Sequence, residues 1–200
     1  MSQKQADDIR QSVRDSYSKV AEASDAGECC GVATSCCGVS ADINSVHSTR
    51  LGNSEDDLKR VPGGADMGLG CGNPRTIASL QADEVVLDLG SGGGFDAFLA
   101  TREIGTHGRV IGVDMTPAMV SKARANAAAT PVPQAEFYQA DMASLPLPDG
   151  IADVLISNGA INLARDKQAV LAEAFRVLRP GGRLDCRHGA RHFGNNRLLS

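Results

Sequence analysis

The feature that most constrains this chain is the run Val85–Asp96, V-V-L-D-L-G-S-G-G-G-F-D. An apolar stretch that ends at Asp88-Leu89 and meets Gly90, Gly92 and Gly94 predicts a buried strand turning sharply into a helix, because glycine takes positive φ without steric cost. A helix opening near Phe95 presents unpaired N–H groups at its start, which predicts contact with an anionic portion of a ligand. A second apolar run, Arg109-Val110-Ile111-Gly112-Val113-Asp114, follows about one helix later and ends in a carboxylate. In doubly wound folds an acid at that place holds a ribose hydroxyl pair. The glycine spacing departs from the dinucleotide fingerprint G-x-G-x-x-G, so the acidic lead in Asp88-x-Gly90-x-Gly92-x-Gly94 carries more information than the glycines alone.

From Glu84 onward, runs of strand length alternate with helical segments, which predicts an α/β chain with a doubly wound, mostly parallel sheet. Strands are expected at 85–89, 109–113, 136–140 and 152–157. Helices are expected at 95–104, after Thr116 as cap with Pro117 at the first position, and from Asp166 to Leu178. Arg179-Pro180-Gly181-Gly182 stops the last helix, and a fifth strand begins at Arg183-Leu184. Beyond it, Asp185-Cys186-Arg187-His188 is polar where a central strand is apolar, so the sheet is expected to be truncated after the fifth strand. Residues 185–200 read as an atypical tail, either a shifted frame or truncation scar after Leu184, or a poorly ordered natural terminus.

Toward the N-terminus, Ile9, Val13, Tyr17 and Val20 recur at helical spacing and predict an amphipathic helix, either a packing helix or a lid that brings Tyr17 to the site. The stretch from Glu28 to Asn53 has no periodicity and reads as loop; Asn73-Pro74 opens a short helix running to about Leu80. The chain thus divides into an N-terminal helix and cysteine-rich extension (1–72), a cofactor-binding domain (73–184) and the tail (185–200).

Composition narrows the function classes. No run approaches the roughly 18 apolar residues of a membrane span, and Met1-Ser2-Gln3-Lys4 lacks the apolar core of a secretion signal, so a cytoplasmic chain with no membrane contact is expected. A formal charge of −4 is not the electrostatic footprint of a nucleic-acid binder. Six cysteines without a secretion signal favour thiol chemistry or metal binding over disulfides. Cys29-Cys30 and Cys36-Cys37 suit a soft, thiophilic centre; the two pairs could also close a tetrahedral zinc site, although vicinal cysteines strain chelation of a single ion. Cys71 lies just before the Asn73-Pro74 helix start, where the dipole favours a thiolate.

The acid-led glycine turn followed by Asp114 resembles the cofactor loop of class I methyltransferases that use S-adenosylmethionine (SAM). Three further stretches sharpen that resemblance: the paired cysteines, Val61-Pro62-Gly63-Gly64-Ala65 with Leu69-Gly70-Cys71-Gly72-Asn73-Pro74, and Gly112-Val113-Asp114-Met115-Thr116-Pro117. Ile156-Ser157-Asn158, Ile161-Asn162-Leu163 and Glu173-Ala174-Phe175-Arg176-Val177-Leu178 complete it. From Tyr17 to Leu184 the chain is similar to the microbial arsenite SAM methyltransferases. The resemblance implies a Rossmann-like fold in which Asp88, Gly90 and Gly92 hold the methionine end of SAM, with Ser91, Gly94 and Asn158 as further cofactor-binding residues. It assigns Asp114 to the ribose, Met115 and Asp141-Met142 to adenine, and Tyr17 to closure over the cofactor. It further implies trivalent arsenic held by cysteine thiolates, with Cys71 catalytic and Cys29, Cys30, Cys36 and Cys37 as further ligands. A thiol reductant of the glutathione or thioredoxin type is the implied partner. The chain departs from the family at Gly159, where a cysteine follows Ile-Ser-Asn, and in ending before the family's C-terminal cysteine domain. An altered substrate half, and self-association through an exposed sheet edge, are therefore expected.

Overall fold

The computed structural model describes residues 11–12, 14–21, 61–62, 65–67, 78–130 and 132–187. Five strands form one parallel sheet: β1 (Val85–Leu89), β2 (Arg109–Asp114), β3 (Ala135–Gln139), β4 (Ala152–Asn158) and β5 (Leu178–Arg187). Their spatial order is β3-β2-β1-β4-β5. Val86 at the centre pairs with Val110 on one side and Val154 on the other. The chain winds outward from β1 through β2 to β3, then returns to place β4 on the opposite flank of β1. That reversal opens a crevice beyond the carboxyl ends of β1 and β4, where open α/β sheets bind ligands.

Strict burial on both faces explains why the strands read as continuous apolar runs. On one face, Val86, Val110, Val154 and Ile156 pack with Phe98 and Ile104 of α1 (Phe95–Ile104) and with Val120 and Ala123 of α2 (Pro117–Ala128). On the other, Leu87, Leu89, Ile111, Val113 and Leu155 pack with Val170, Ala174 and Val177 of α3 (Lys167–Val177). Asp166 caps α3 by accepting from the Ala169 N–H. Thr116 precedes Pro117 as expected, but its side chain makes no capping bond; its N–H instead donates to Asp114 Oδ1 at 2.8 Å.

The fifth strand differs from its sequence expectation at both ends. It starts at Leu178, which pairs with Ala152, while Val154 pairs with Arg183; Arg179-Pro180-Gly181-Gly182 is therefore an irregularity inside the strand rather than a turn before it. Pairing then runs past Leu184, with Asp185, Cys186 and Arg187 opposite Ile156, Ser157 and Asn158. The polar residues are tolerated because they alternate: Leu184 and Cys186 pack on the second core cluster, while Arg183 turns to the other face. There the Arg183 guanidinium donates to both carboxylate oxygens of Glu84, at 2.6 and 2.8 Å, and to the carbonyls of Ala78 and Ser79.

Residues 14–21 are helical, in line with the expected amphipathic helix. Of the short helix expected to begin at Asn73-Pro74, Ala78 is helical and 73–77 lie outside the described residues. Among the described residues, no helix is long and apolar enough to cross a membrane.

Candidate cofactor site

Three carboxylates interact at the carboxyl end of the sheet: Asp88 on β1, Asp96 in the first turn of α1, and Asp114 at the end of β2. Asp88 is 2% exposed, and its Oδ2 has no hydrogen-bond partner among the described residues. Burial, followed by the charges of Asp96 and Asp114, pushes its carboxyl well above the usual carboxylate range. Asp114 is better served: Oδ2 accepts from the Gly92 N–H at 3.0 Å and Oδ1 from the Thr116 N–H. Burial still raises its pKa, and the two amides offset part of that rise. Asn158 at the end of β4 donates from Nδ2 to Asp96 Oδ2 at 2.9 Å.

The amides of the glycine turn are largely spent on the protein itself. Those of Gly90 and Ser91 donate to Val113 O at 2.7 and 3.0 Å, that of Gly94 to Ser91 O at 2.8 Å, and that of Gly92 to Asp114. With an acid in the first helical turn as well, the turn is surrounded by negative charge. These four amides are therefore not free to meet an anion. Hydrogen bonds to β2 and within the turn take up these four donors, and the neighbouring carboxylates favour a cation.

The glycines separate by what surrounds them. A Cβ on Gly90 (φ 77) would fall 2.1 Å from the Ala160 Cβ, and one on Gly94 (φ 92) would strike the rings of Phe98 and Phe137 at 2.7 and 2.9 Å. Both are small for packing reasons. On Gly92 (φ 51) it would meet only the Met67 methyl, at 3.6 Å, so this residue leaves room beside the turn. Ser91 is buried beneath the turn, and the absent side chain of Gly112 makes space for its Oγ.

The Ala140 N–H donates to Asp114 O at 3.1 Å, which brings the segment after β3 beside the end of β2. Asp141 Oδ1 accepts from the Ala143 N–H and holds the following turn; Met142 packs on the second core cluster, and Met115, next to Asp114, is half-buried. Glu173 and Arg176 secure this segment from below: Glu173 Oε1 accepts from the Leu145 N–H at 2.7 Å, and Arg176 donates to Leu147 O and Asp149. The Glu173-Ala174-Phe175-Arg176 motif thus anchors the segment that follows β3. Tyr17 lies in the N-terminal helical segment and is partly buried. Cys29, Cys30, Cys36, Cys37 and Cys71 lie outside the described residues. Among the described residues no cluster of His, Cys, Asp and Glu is arranged to hold a metal.

Two residues carry more of this geometry than the sequence reading assigned them. Asp96 lies inside the glycine motif, and its tie to Asn158 on β4 has no counterpart in the sequence pattern. Asn126, 8% exposed on α2, donates from Nδ2 to Gly93 O at 3.0 Å. Its signal was a polar residue on the buried face marked by Met119, Val120 and Ala123.

A doubly wound parallel sheet with an acid-lined glycine turn at its switch point defines the class I methyltransferase fold. Residues 80–192 match the family described as a methyltransferase domain, and the chain belongs to that family. It is 45% identical over 185 residues to an arsenite methyltransferase of Halobacterium salinarum, an alignment covering 89% of this chain and 46% of the relative. A solved arsenic(III) SAM methyltransferase from Chlamydomonas reinhardtii aligns with a TM-score of 0.54 and 34% identity over 72% of this chain and 48% of that one. A demethylmenaquinone methyltransferase of Thermus thermophilus is 40% identical over 109 residues, 54% of this chain and 48% of the relative. The chain spans about half the length of these relatives. The family resemblance read from the sequence is matched by these proteins.

The cofactor of this class is SAM, and the residues present fit it. Its sulfonium and ammonium charges suit a buried carboxylate that lacks a donor, whereas a dinucleotide pyrophosphate would meet three acids. Asp88 would face the cationic methionine end, Asp114 would offer its remaining lone pairs to ribose hydroxyls, and Gly92 would leave the backbone open to close approach.

Proposed function

We propose that this chain forms the cofactor-binding part of an arsenite methyltransferase, in which a methyl group passes from SAM to trivalent arsenic held by cysteine thiolates. The supporting observation is a buried acid cluster around the glycine turn in a chain 45% identical to an arsenite methyltransferase over 89% of its length. Bound SAM supplies an electrophilic methyl group on a sulfonium centre. Arsenic supplies a lone pair, so the protein contributes chiefly proximity and orientation. Asp88, Asp96 and Asn158 fix the charged end of the site, Asp114 and the 140–145 segment its other end, and Tyr17 closes over it. Cys71 and the two cysteine pairs hold the arsenic, and a glutathione- or thioredoxin-type thiol keeps it trivalent.

A second reading, binding of SAM and arsenic without efficient turnover, is favoured by Gly159. It stands at the carboxyl end of β4 with φ 84, beside the Ala160 that packs on Gly90. Glycine supplies no thiolate at this position. A cysteine at this left-handed position would cost about 1–2 kcal/mol. Intact mass after addition of trivalent arsenic, with chromatography coupled to elemental mass spectrometry after addition of SAM and a thiol, tests both readings. Methylated arsenic is expected to be absent or slow to form in the parent chain, and Gly159→Cys should raise arsenic affinity more than turnover. Robust turnover by the parent would overturn the second reading; failure to bind SAM or arsenic would overturn both. Methylation of another small molecule instead would move the chain toward relatives of the demethylmenaquinone type.

A further inference from the structure

Helix α2 carries two buried polar side chains one turn apart on its inner face, Lys122 (6% exposed) and Asn126 (8% exposed). Positions four apart on a helix share a face, and lysine is rarely buried unless its charge is engaged. Asn126 Nδ2 donates to Gly93 O at 3.0 Å, across 33 residues of sequence. Lys122 Nζ approaches Ala21 O at 3.5 Å, across 101 residues. Ala21 belongs to the N-terminal helical segment and is buried, so its contact with Lys122 joins that segment to α2 inside the protein. One rigid face of α2 therefore touches both the glycine turn and the helix that carries Tyr17.

We propose that Asn126 and Lys122 are positioning residues that couple the two parts of the cofactor site: Asn126 sets the Gly93 peptide within the turn, and Lys122 docks the helix bearing Tyr17. This rests on the SAM-binding reading above. Gly93 is buried, so its carbonyl depends on the Asn126 amide once water is excluded. The plane that holds the Gly93 carbonyl also holds the Gly94 N–H, which donates to Ser91 O, so the Asn126 bond fixes that part of the turn next to the Gly92 N–H bonded to Asp114. Loss of Asn126 should therefore loosen the turn without removing any group that touches the cofactor. Loss of Lys122 should free the N-terminal helix, and the turn should feel that release through α2.

The test uses the full chain carrying Tyr138→Phe. The protein has no tryptophan and two tyrosines, so Tyr17 becomes the sole emitter. Acrylamide quenching then reports helix docking without any cofactor, and titration calorimetry reports SAM affinity. Lys122→Met is expected to increase quenching of Tyr17 and to weaken SAM binding by about threefold to tenfold, and Lys122→Arg to restore both. Asn126→Ala is expected to weaken SAM binding by roughly tenfold, and the double variant to fall short of the product of the two single losses, as coupled residues do. Asn126→Ser is the fallback if the alanine variant does not fold. Variants that melt earlier yet bind SAM within about twofold of the parent, with multiplicative effects, would overturn the proposal and leave both residues as packing groups. If the parent fails to bind SAM, the cofactor reading falls on its own, and Tyr17 quenching that is unmoved by Lys122→Met would overturn the docking role separately.

Discussion

The Gly92 N–H donates to Oδ2 of Asp114 at 3.0 Å across 22 residues of sequence, so the acid proposed to hold the ribose also closes the glycine turn. Asp114→Ala is expected to have two effects. SAM affinity should fall tenfold to a hundredfold, since hydrogen bonds to a charged group are worth about 1.5–3 kcal/mol. Stability should fall by about 1–3 kcal/mol because the Gly92 and Thr116 amides lose their acceptor. Calorimetry and urea unfolding separate the two, and an unchanged affinity would remove Asp114 from the site.

Asp88 should make the free protein sensitive to rising pH. Its folded pKa is raised, so its neutral form contributes stability at low pH that is lost as pH climbs through the folded value. A bound cation favours the ionised form, so SAM binding below that value should release up to about one proton. Calorimetry in two buffers of different ionisation enthalpy measures the release, and Asp88→Asn should abolish it. A buffer-independent enthalpy in the parent would show that Asp88 is already ionised.

Gly90→Ala and Gly92→Ala should fail differently. The first places a Cβ 2.1 Å from Ala160 at φ 77, and overpacking together with left-handed strain should cost about 2–4 kcal/mol. The second carries the same left-handed strain (φ 51) but meets only Met67 at 3.6 Å, so it should cost only about 1–2 kcal/mol while binding SAM poorly. Equal loss of stability in both would mean that Gly92, too, is a packing glycine.

Arg183→Met should destabilise the sheet by about 2–3 kcal/mol, because Glu84, 8% exposed, would keep its charge without its main partner; the half-exposed arginine itself contributes little. Burial raises the Glu84 pKa, but donation from Arg183 and the Gln81 N–H brings it below the ordinary value. Its contribution is therefore present above the ordinary Glu pKa and lost as pH falls through the lowered one. In Arg183→Met the stability difference from the parent should shrink toward acid pH in denaturant titrations; a constant difference would mean the loss is one of packing.

Much of the framework was legible locally. The first strand, α1 and the Pro117 helix start follow from apolar runs, glycine and proline placed at fixed intervals, because burial imposes a period that a few residues suffice to display. Asp96 and Asn126 were not legible, since each acts through a partner on another element, Asn158 and Gly93. The path of β5 was missed because Pro180-Gly181-Gly182 looks like a strand boundary, yet an irregularity in the register with β4 absorbs it.

By itself the sequence determined the winding of the sheet, the sharp turn after β1 and the acid at the end of β2. Each depends on the steric freedom of glycine or on the pattern of burial along one segment. Tertiary structure alone decided the charge the site presents. Whether the turn's amides face a ligand or the carbonyl of Val113 and the carboxylate of Asp114 is fixed by the pairing of β1 with β2. That pairing ties up the amides of Gly90, Ser91 and Gly92 and leaves the buried Asp88 carboxylate without a donor at Oδ2, because hydrogen bonds between distant segments form only once the sheet has set their register.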